Sequence, residues 1–270
     1  MRLFCLSSQR KSDKLNKSRD YDGRGVFRIK KQVMTIAFDN LTMEEAVECA
    51  MAHIAERTRC RVVTPNAEFA LEAKKNPRFL NILNGSQLVL ADGVSVVLAS
   101  RILGDPMGGR VTGVDFAQAL AAALAKAGGS LFLLGAKPGV AEKAAEALQL
   151  AHPGLRIAGA HDGYFKEEAP VVDAINAAHP DALLVCLGAP KQEYFMEDHD
   201  AQLEVPVMAG LGGSMDVLAG NVQRAPAVFQ KCGMEWLYRL VKEPKRWRRM
   251  AKLPLYLWDA LVWRIKGGKG

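Results

Sequence analysis

Two kinds of hydrophobic pattern alternate along most of the chain. Short apolar runs, typical of buried strands, are followed by longer stretches in which apolar positions recur every three or four residues, as on one face of a helix. The predicted strands are Val33–Phe38, Arg61–Thr64, Gln87–Ala91, Ser130–Leu134, Arg156–His161, Ala182–Leu187 and Val205–Leu211. The predicted helices are Met43–Arg57, Ala67–Lys75, Pro77–Asn84, Val94–Leu103, Gly113–Ala127, Pro138–Ala151, Glu167–Ala178 and Pro190–Ala201.

This alternation predicts an α/β fold. Strands separated by helices of this length form parallel βαβ units, with helices on both faces of one sheet. We therefore expect a Rossmann-like parallel-sheet core at residues 33–230, in two βα halves at about 33–127 and 128–230. Residues 1–32 are expected to form a flexible basic arm, and residues 231–270 a C-terminal basic, amphipathic, helical, membrane-associating appendage.

The distribution of charge separates the two ends from the middle. The chain has a net charge of +7, but residues 1–33 carry +7, residues 231–270 carry +8 and residues 34–230 carry −8. Basic ends indicate an anionic partner, either lipid phosphate or nucleic acid. In the C-terminal segment, tryptophans and cations lie beside apolar positions at roughly helical spacing, which is typical of a helix on an anionic membrane surface. Ordinary packing and nucleic-acid contact are the alternatives for that segment.

Composition and cysteine usage narrow the class of protein. Hydrophobic residues make up 49% and charged residues 24%, which excludes a largely disordered chain and a disulfide-stapled one. The five cysteines include no C-x-x-C pair and are expected to be free thiols in a reducing compartment. No apolar run approaches the length of a membrane span or of a secretory signal. We expect a cytoplasmic protein that is peripherally associated with the inner face of the cell membrane.

Candidate ligand-binding residues lie where the predicted strands end. In open parallel sheets, ligands bind beyond the carboxyl ends of the strands, and glycine lets backbone N–H groups approach phosphates there. Each such loop alone could be an ordinary turn, but six in succession predict a crevice for a phosphate-bearing ligand. The loops are Thr64–Asn66, Ala91–Gly93, Gly135–Gly139, His161–Tyr164, Gly188–Glu193 and Gly210–Gly213. The G-x-G-x-x-G and G-x-x-x-x-G-K-[ST] fingerprints are absent, which argues against a nicotinamide dehydrogenase and a P-loop ATPase.

Two carboxylate motifs stand out among these residues. Asp92 follows a predicted apolar strand and precedes a glycine, so we expect it half-buried at the rim of the sheet, where burial raises the pKa of a carboxyl group and makes a usable general base. The alternative is an aspartate that turns the chain or caps the next helix. Asp198-His199-Asp200 has the D-x-D pattern that often holds a divalent metal, but it lies late in a polar helical stretch. We interpret it as a solvated face and expect no metal.

Taken in order, the motifs resemble the WecG/TagA/CpsF glycosyltransferase family. The resemblance covers about residues 33–250. The matching segments are Thr64–Asn66, Ala91–Gly93, Arg110–Asp115, Leu134–Gly139, Gly163–Phe165, Gly188–Glu193, Arg224–Pro226, Glu235–Arg239 and Glu243–Arg246. The family pattern does not account for residues 1–32.

The resemblance implies an activity and its partners. It implies an inverting, metal-independent glycosyltransferase without a cofactor, which moves N-acetylmannosamine or its uronic acid from a UDP-sugar to undecaprenyl-diphosphate-linked N-acetylglucosamine. The products would feed cell-surface polysaccharide or teichoic-acid biosynthesis. The implied partners are the UDP-sugar donor, the polyprenyl-diphosphate-sugar acceptor and an anionic membrane surface, with no nucleic acid; a homo-oligomer stays open.

The resemblance also implies roles for individual residues. It makes Asp92 the catalytic base and matches Thr64, Asn66, Arg110 and Gln192 to the substrate pocket. The strand-end loops add three glycines to that pocket, namely Gly135, Gly188 and Gly212. The arginines expected at the lipid diphosphate and the membrane are Arg239, Arg246 and Arg249.

Three other functions remain open from the sequence. The first is the same family with another hexose donor, such as UDP-glucose in exopolysaccharide synthesis. The second is a different sugar-nucleotide enzyme such as an epimerase, which would require the nicotinamide-binding fingerprint G-x-G-x-x-G that is absent here. The third is a non-enzymatic nucleic-acid-binding protein, which the acidic middle of the chain disfavours.

Overall fold

A computed structural model describes residues 19–21, 27–226, 228–229, 234–242, 247 and 251–268. The strands in this part of the chain are β1 Arg19–Tyr21, β2 Phe27–Val33, β3 Ile36–Asp39, β4 Cys60–Val63, β5 Leu88–Val89, β6 Ser130–Gly135, β7 Arg156–His161, β8 Ala182–Cys186 and β9 Val207–Gly210. The helices are α1 Met43–Ala55, α2 Ala67–Ala73, α3 Pro77–Gly85, α4 Val94–Leu103, α5 Gly113–Ala127, α6 Val140–Ala151, α7 Ala169–Ala178, α8 Lys191–Asp198, α9 Ser214–Leu218, α10 Glu235–Lys242 and α11 Lys252–Ile265.

The main sheet confirms the predicted parallel α/β core. Its six strands run in the order β5-β4-β9-β8-β6-β7, and every neighbouring pair is parallel. The central strands β8 and β9 are buried along their whole length, as expected for strands covered on both faces. The strand order places β4 and β5, from the first half of the chain, directly beside β9 from the second half.

Successive side chains of each strand point to opposite faces, and two apolar layers result. One layer joins residues of β4, β6, β8 and β9 to helices α2, α3, α4, α7, α8 and α11. The other joins the alternate residues of these strands to helices α1, α5, α6 and α9. The molecule is therefore a three-layer sandwich with the sheet in the middle.

A hairpin replaces the predicted strand at Val33–Phe38. Strands β2 and β3 pair antiparallel around a turn at Met34 and Thr35, where Met34 has a positive φ of 55°. The hairpin is attached to the main sheet, because Asp39 accepts a hydrogen bond of 2.8 Å from the backbone N–H of Val89. Residues 27–32, which the sequence placed in the N-terminal arm, are thus part of the folded structure; residues 1–18 and 22–26 lie outside the described residues.

The structure does not confirm a separate C-terminal appendage. Helix α11 packs against α2 and α4, and its Tyr256 and Ala260 are fully buried in the same apolar layer as those helices. Two ion pairs of 2.9 Å, Lys252–Glu68 and Lys74–Asp259, tie α11 to α2. Pro254 lies in the first turn of α11, where its missing N–H removes no hydrogen bond within that helix.

Within the part of the chain that the structure describes, we find no helix with the length and apolar character that a membrane crossing requires.

Candidate active site

The carboxyl ends of four neighbouring strands meet at one edge of the sheet. Val63 of β4 is in register with Val89 of β5 and with Gly210 of β9, and Gly210 is in register with Val185 of β8. The segments that follow these strands therefore surround a common space, a cavity of about 380 Å³. This volume lies within the range of roughly 300–1,000 Å³ typical of small-molecule sites.

Six of the eight residues that the sequence placed in a substrate pocket line this cavity. They are Thr64, Asn66, Asp92, Arg110, Gly188 and Gly212. Gln192 and Gly135 do not line it. The cavity is also lined by residues at the start of α4 and α5 and by residues of α10 and α11, which the sequence did not place there.

Asp92 is half-buried in the cavity wall, as expected from the sequence. It follows β5 by three residues, and its backbone N–H donates a hydrogen bond of 3.1 Å to the carbonyl of Pro65. This bond ties the segment after β5 to the segment after β4, which fixes the direction in which the Asp92 backbone leaves the sheet. Gly93 follows with a positive φ of 106° and begins α4 without a side-chain cap.

Thr64 and Asn66 form the adjoining wall. The Thr64 hydroxyl donates to the carbonyl of Gly210 at 3.1 Å, which links the end of β4 to the end of β9. Asn66 caps α2, since its Oδ1 accepts from the backbone N–H groups of Glu68 and Phe69. A Cβ on Gly93 would lie 3.9 Å from the Cβ of Asn66, so a larger residue at position 93 would narrow the cavity between the two walls.

An arginine–aspartate pair lies at the start of α5. The two terminal nitrogens of Arg224 donate to the two oxygens of Asp115 at 2.5 and 2.6 Å, and the hydroxyl of Thr112 donates to Asp115 at 2.6 Å. Burial acts to raise the pKa of Asp115, but the hydrogen bonds from Arg224 and Thr112 and the positive charges of Arg224 and Arg110 outweigh it, so the pKa is lowered. Arg224, Thr112 and Arg110 all line the cavity.

Gln192, expected in the substrate pocket, is fully buried and does not line the cavity. Its Oε1 accepts from the backbone N–H of Gly212 at 2.9 Å, and its Nε2 donates to Oε1 of Glu193 at 2.6 Å. Glu193 is also fully buried, and its Oε2 has no hydrogen-bond partner in the described structure. Burial raises the pKa of Glu193 to about 7. Gln192 therefore holds the loop after β9 through the backbone N–H of Gly212, and Glu193 in turn holds Gln192.

Gly135 does not line the cavity either, and the packing of the strands explains why this position is a glycine. It has a φ of 128°, and a Cβ at this position would come within 2.4 Å of the carbonyl oxygen of Cys186. Only glycine allows β6 to end this close to β8. Gly188 and Gly212 have positive φ values of 78° and 56° but nothing within 4 Å of an added Cβ, so their backbones border open space.

The C-terminal part of the chain completes the described wall. Glu235 and Trp236 of α10 and Lys252 and Leu253 of α11 line the cavity. Glu235 is buried, and the ammonium group of Lys252 is engaged with Glu68. The side chain of Arg239 and residues 246 and 249, expected at the lipid diphosphate, lie outside the described residues.

Asp198-His199-Asp200 lies at the end of α8, away from the cavity. Asp198 pairs with Arg78, Asp200 lies 3.8 Å from Arg61, and His199 shares a hydrogen bond of 2.7 Å with Glu168. Among the described residues, no group of three or more His, Cys, Asp or Glu side chains is arranged to hold a metal ion. The absence of a metal requirement stays a prediction.

The charges of the wall bear on which ligand it suits. Four acidic residues line the cavity with three basic ones, so the described wall has no excess of positive charge. The acidic residues are Glu68, Glu72, Asp92 and Glu235, and the basic ones are Arg110, Arg224 and Lys252. A dianionic ligand would therefore depend on individually placed cations and on the N-terminal turns of α4 and α5, whose backbone N–H groups carry partial positive charge.

A glycosyltransferase is the class that this fold and site match. The model of the glycosyl transferase WecG/TagA/CpsF family matches residues 31–270. Because this match spans most of the chain, the chain belongs to the WecG/TagA/CpsF family, as its motifs predict.

Curated relatives agree with this assignment. The chain is 39% identical over 196 residues, 73% of this chain and 76% of the relative, to a protein of Bacillus spizizenii named N-acetylglucosaminyldiphosphoundecaprenol N-acetyl-beta-D-mannosaminyltransferase. Proteins of the same name from Bacillus subtilis and Staphylococcus aureus are 33% and 34% identical. These matches cover 83% and 85% of this chain and 88% and 91% of the two relatives.

Sequence reasoning gave no role to several residues of the site. Arg224 and Asp115 stood inside matching motifs without a role, because nothing in the sequence shows that residues 109 positions apart form a pair. Lys252 and Glu235 were assigned to an appendage. A signal for Arg224 was present, since an arginine that follows a short helix after the last strand lies at the edge where parallel sheets bind ligands.

Proposed function

We propose that this protein transfers N-acetylmannosamine, or its uronic acid, from a UDP-sugar to N-acetylglucosamine linked to undecaprenyl diphosphate. The relatives are named for this acceptor and for the transfer of N-acetylmannosamine. The observation that carries the proposal is a half-buried carboxylate, Asp92, in one cavity with Thr64, Asn66 and Arg110. The reaction is inverting and serves the synthesis of a cell-surface polymer.

Asp92 acts as the general base. It takes the proton of the acceptor hydroxyl while that oxygen attacks the anomeric carbon from the face opposite the leaving diphosphate. A carboxylate that lines the cavity is suited to this role, because it can accept the proton of a hydroxyl group bound there. Asn66 and Thr64 shape the neighbouring wall through their own hydrogen bonds to α2 and to β9.

The leaving diphosphate needs positive partners at the moment when the sugar departs. The N-terminal turns of α4 and α5 border the cavity and supply backbone N–H groups, and Arg110 and Arg224 supply full charges. The described wall has no excess of positive charge, so further cations from the C-terminal segment complete the site. Arg239, Arg246 and Arg249 are the residues proposed for that role.

The acceptor is held in a bilayer, so the enzyme works at the membrane surface. The C-terminal segment, residues 231–270, carries a net charge of +8, and each cation near an anionic surface contributes about 1 kcal/mol to binding. The outward side of α11 exposes large apolar side chains, namely Leu255, Trp258, Leu261 and Ile265. This combination supports peripheral association with the inner face of the membrane.

The test is a transfer assay with a panel of donors. The enzyme is incubated with a short-chain polyprenyl-diphosphate-linked N-acetylglucosamine and, separately, with UDP-N-acetylmannosamine, its uronic acid, UDP-glucose and UDP-N-acetylglucosamine, and products are identified by mass spectrometry. A product one N-acetylmannosamine or one uronic acid heavier than the acceptor supports the proposal. Transfer of glucose alone would favour the exopolysaccharide alternative, and no transfer from any donor would contradict the proposal.

Metal independence is tested in the same assay with excess EDTA. We expect the rate to be unchanged, because the D-x-D carboxylates pair with arginines away from the cavity. Loss of activity in EDTA that Mg²⁺ or Mn²⁺ restores would contradict a metal-free mechanism.

A further inference from the structure

The guanidinium group of Arg224 is held in one orientation. Both oxygens of Asp115 accept from it, at 2.5 and 2.6 Å. Asp115 is itself fixed, because the Thr112 hydroxyl donates to its Oδ2 at 2.6 Å and accepts from its backbone N–H at 3.3 Å. Thr112 and Asp115 belong to the N-cap and the first turn of α5, a rigid helix of 15 residues. The arginine is thus anchored to the body of the fold.

Asp115 does not use all the hydrogen-bond capacity of this arginine. A guanidinium group has five N–H donors, and a two-pronged contact with one carboxylate occupies two of them. The Nε atom of Arg224 is buried and has no hydrogen-bond partner within the described residues. The Arg224 side chain is 23% exposed and lines the cavity together with Asp92 and Glu235. The N–H groups of the two terminal nitrogens that Asp115 does not engage therefore remain for a ligand on the cavity side.

Lys252, another basic residue of the wall, differs from Arg224. It carries a single ammonium group on a flexible stem, and it is engaged with Glu68 at 2.9 Å. A cation whose orientation is set before the ligand binds stabilises developing charge without reorganisation, and a planar guanidinium matches phosphate oxygens in a two-pronged way.

We propose that Arg224 is a catalytic residue that meets the diphosphate as it leaves the donor sugar, and that Asp115 and Thr112 are its positioning residues. This inference rests on the proposed function. In the transfer, the bond between the anomeric carbon and the β-phosphate oxygen breaks, and its electron pair stays on that oxygen. The acceptor oxygen forms the new bond and gives its proton to Asp92. Arg224 exchanges no proton and stabilises the charge that develops on the diphosphate.

The charge states of the pair suit this role. The pKa of Asp115 is lowered in spite of its burial, and the pKa of Arg224 is raised, first by the hydrogen bond to Asp115 and also by the charges of Asp115, Glu235 and Asp92. Both groups therefore carry their charges at neutral pH.

The experiment compares ligands that differ only in phosphate number. Calorimetry measures the binding of uridine, UMP and UDP to the wild type, Arg224→Gln and Arg224→Lys, and turnover is measured beside it. For Arg224→Gln we expect UDP affinity to fall about 10- to 100-fold, as for loss of a hydrogen bond to a charged group, while uridine affinity is unchanged. We expect kcat to fall about 10²- to 10³-fold, and Arg224→Lys to recover only part of it.

Two further variants separate catalysis from folding. Arg224→Gln alone leaves Asp115 without its partner, so the double variant Arg224→Gln with Asp115→Asn removes both charges and keeps both shapes. Asp115→Asn alone keeps the arginine but loosens it, and is expected to lower kcat more than donor affinity. Arg57→Gln is the control, because Arg57 also forms an ion pair with an aspartate, Asp181 at 3.1 Å, but lies outside the cavity.

The outcomes distinguish this inference from the proposed function. If the wild type binds neither UMP nor UDP, the proposed function fails and this inference fails with it. If the wild type binds UDP but Arg224→Gln weakens uridine and UDP by the same factor, the function stands and the role of Arg224 is overturned. Wild-type turnover by the folded double variant would overturn it equally.

Discussion

The wall around Asp92 is built from backbone bonds and caps, so a single side chain there can be changed without moving the cavity. Asp92 is tied through its backbone N–H to Pro65, and Asn66 is tied as the cap of α2. Replacing the carboxylate of Asp92 by an amide leaves both attachments intact. Turnover of a folded Asp92→Asn variant therefore tests the role of the carboxylate.

We expect Asp92→Asn to lower kcat by about 10²- to 10⁴-fold, because an amide cannot accept the proton of the acceptor hydroxyl. UDP binding, measured by calorimetry, should survive. Asp198→Asn is the control, since this carboxylate pairs with Arg78 away from the cavity and should keep wild-type turnover. More than a tenth of the wild-type rate in a folded Asp92→Asn variant would exclude Asp92 as the base.

Glu193 is a buried carboxyl group whose pKa changes when the protein folds. Its side chain is fully buried beneath the loop that follows β9, and one of its oxygens accepts from Gln192. Burial disfavours the charged form, so the pKa is raised to about 7 from an ordinary value of 4.5. Between these two values the folded state keeps a proton that the unfolded state has released.

This difference makes the stability of the protein depend on pH. A raised carboxyl pKa contributes stability that is complete below about pH 4.5, declines as the pH rises toward 7 and is lost above it, by an amount on the order of 3 kcal/mol. Glu193→Gln has no such proton, so its free energy of unfolding relative to the wild type should rise between pH 5 and pH 8. Urea unfolding at both values measures this. Glu142→Gln, on an exposed position of α6, should show no such change, and a pH-independent difference for Glu193→Gln would contradict the expectation.

The site residues that could be predicted from the sequence are those that directly follow a strand, because the position of the backbone alone brings them to the cavity. Thr64, Asn66 and Asp92 follow strands of a parallel sheet, and strand ends converge whatever the side chains do. Gln192 follows a strand too, but the first turn of α8 directs it behind the wall. The direction of a side chain on a helix depends on how the helix is rotated about its axis. For the short helix α8, the polarity and spacing of the residues did not reveal this rotation.

Among the elements, α11 shows why a basic, proline-containing segment was interpreted as an appendage. Its apolar residues fall on two sides of the helix. Tyr256 and Ala260 face inward against α4, whereas Trp258 and Ile265 are exposed. A pattern that is apolar on both sides predicts contact but not which side is covered by the protein itself. Only the packing of α11 on α2 and α4 decides that question.

We expect Tyr256→Ala to lower the free energy of unfolding by about 3–5 kcal/mol, since it would leave a cavity at a fully buried aromatic position. Tyr256→Phe should be neutral or stabilising, because the hydroxyl is buried and has no hydrogen-bond partner in the described part of the chain. Urea unfolding of both variants is the measurement. A change of less than about 1 kcal/mol for Tyr256→Ala would restore the interpretation of α11 as a loosely attached appendage.

The strands and helices of the core could be predicted because the spacing of their apolar residues differs. The hairpin of β2 and β3 could not be predicted in this way. The helices α4 and α5 have the predicted bounds, whereas the turn at Met34 and Thr35 carries neither glycine nor proline. A methionine with positive φ is rare, and the pairing of β2 with β3 imposes it. An alternation of apolar and polar residues is compatible with one strand or with two paired strands. The sequence pattern around Met34 and Thr35 therefore could not reveal the turn.

At the scale of the whole molecule, the described structure joins the candidate membrane surface to the cavity through one helix. Lys252 and Leu253, at the start of α11, line the cavity, while exposed Leu255, Trp258 and Ile265 lie further along the same helix. The ion pairs of α11 with α2 hold these two parts in a fixed relation. A bilayer-bound acceptor would then approach from the side on which the helix exposes its apolar residues.

If the exposed side of α11 contacts the bilayer, replacing Trp258 and Ile265 by serine should release the protein from anionic liposomes. The two side chains are 62% and 75% exposed, so their loss removes little packing within the fold, and the unfolding free energy should stay close to that of the wild type. Co-sedimentation at low and high salt measures binding, and we expect wild-type binding to weaken with salt because the cations of the segment contribute to it.

Leu150→Ser is the matched control, as this leucine is 84% exposed on α6 and is not part of the C-terminal segment. The variant should keep its turnover with a water-soluble short-chain acceptor and lose it with the acceptor in vesicles. Equal pelleting of the wild type and the double variant would assign membrane contact, if any, to another surface.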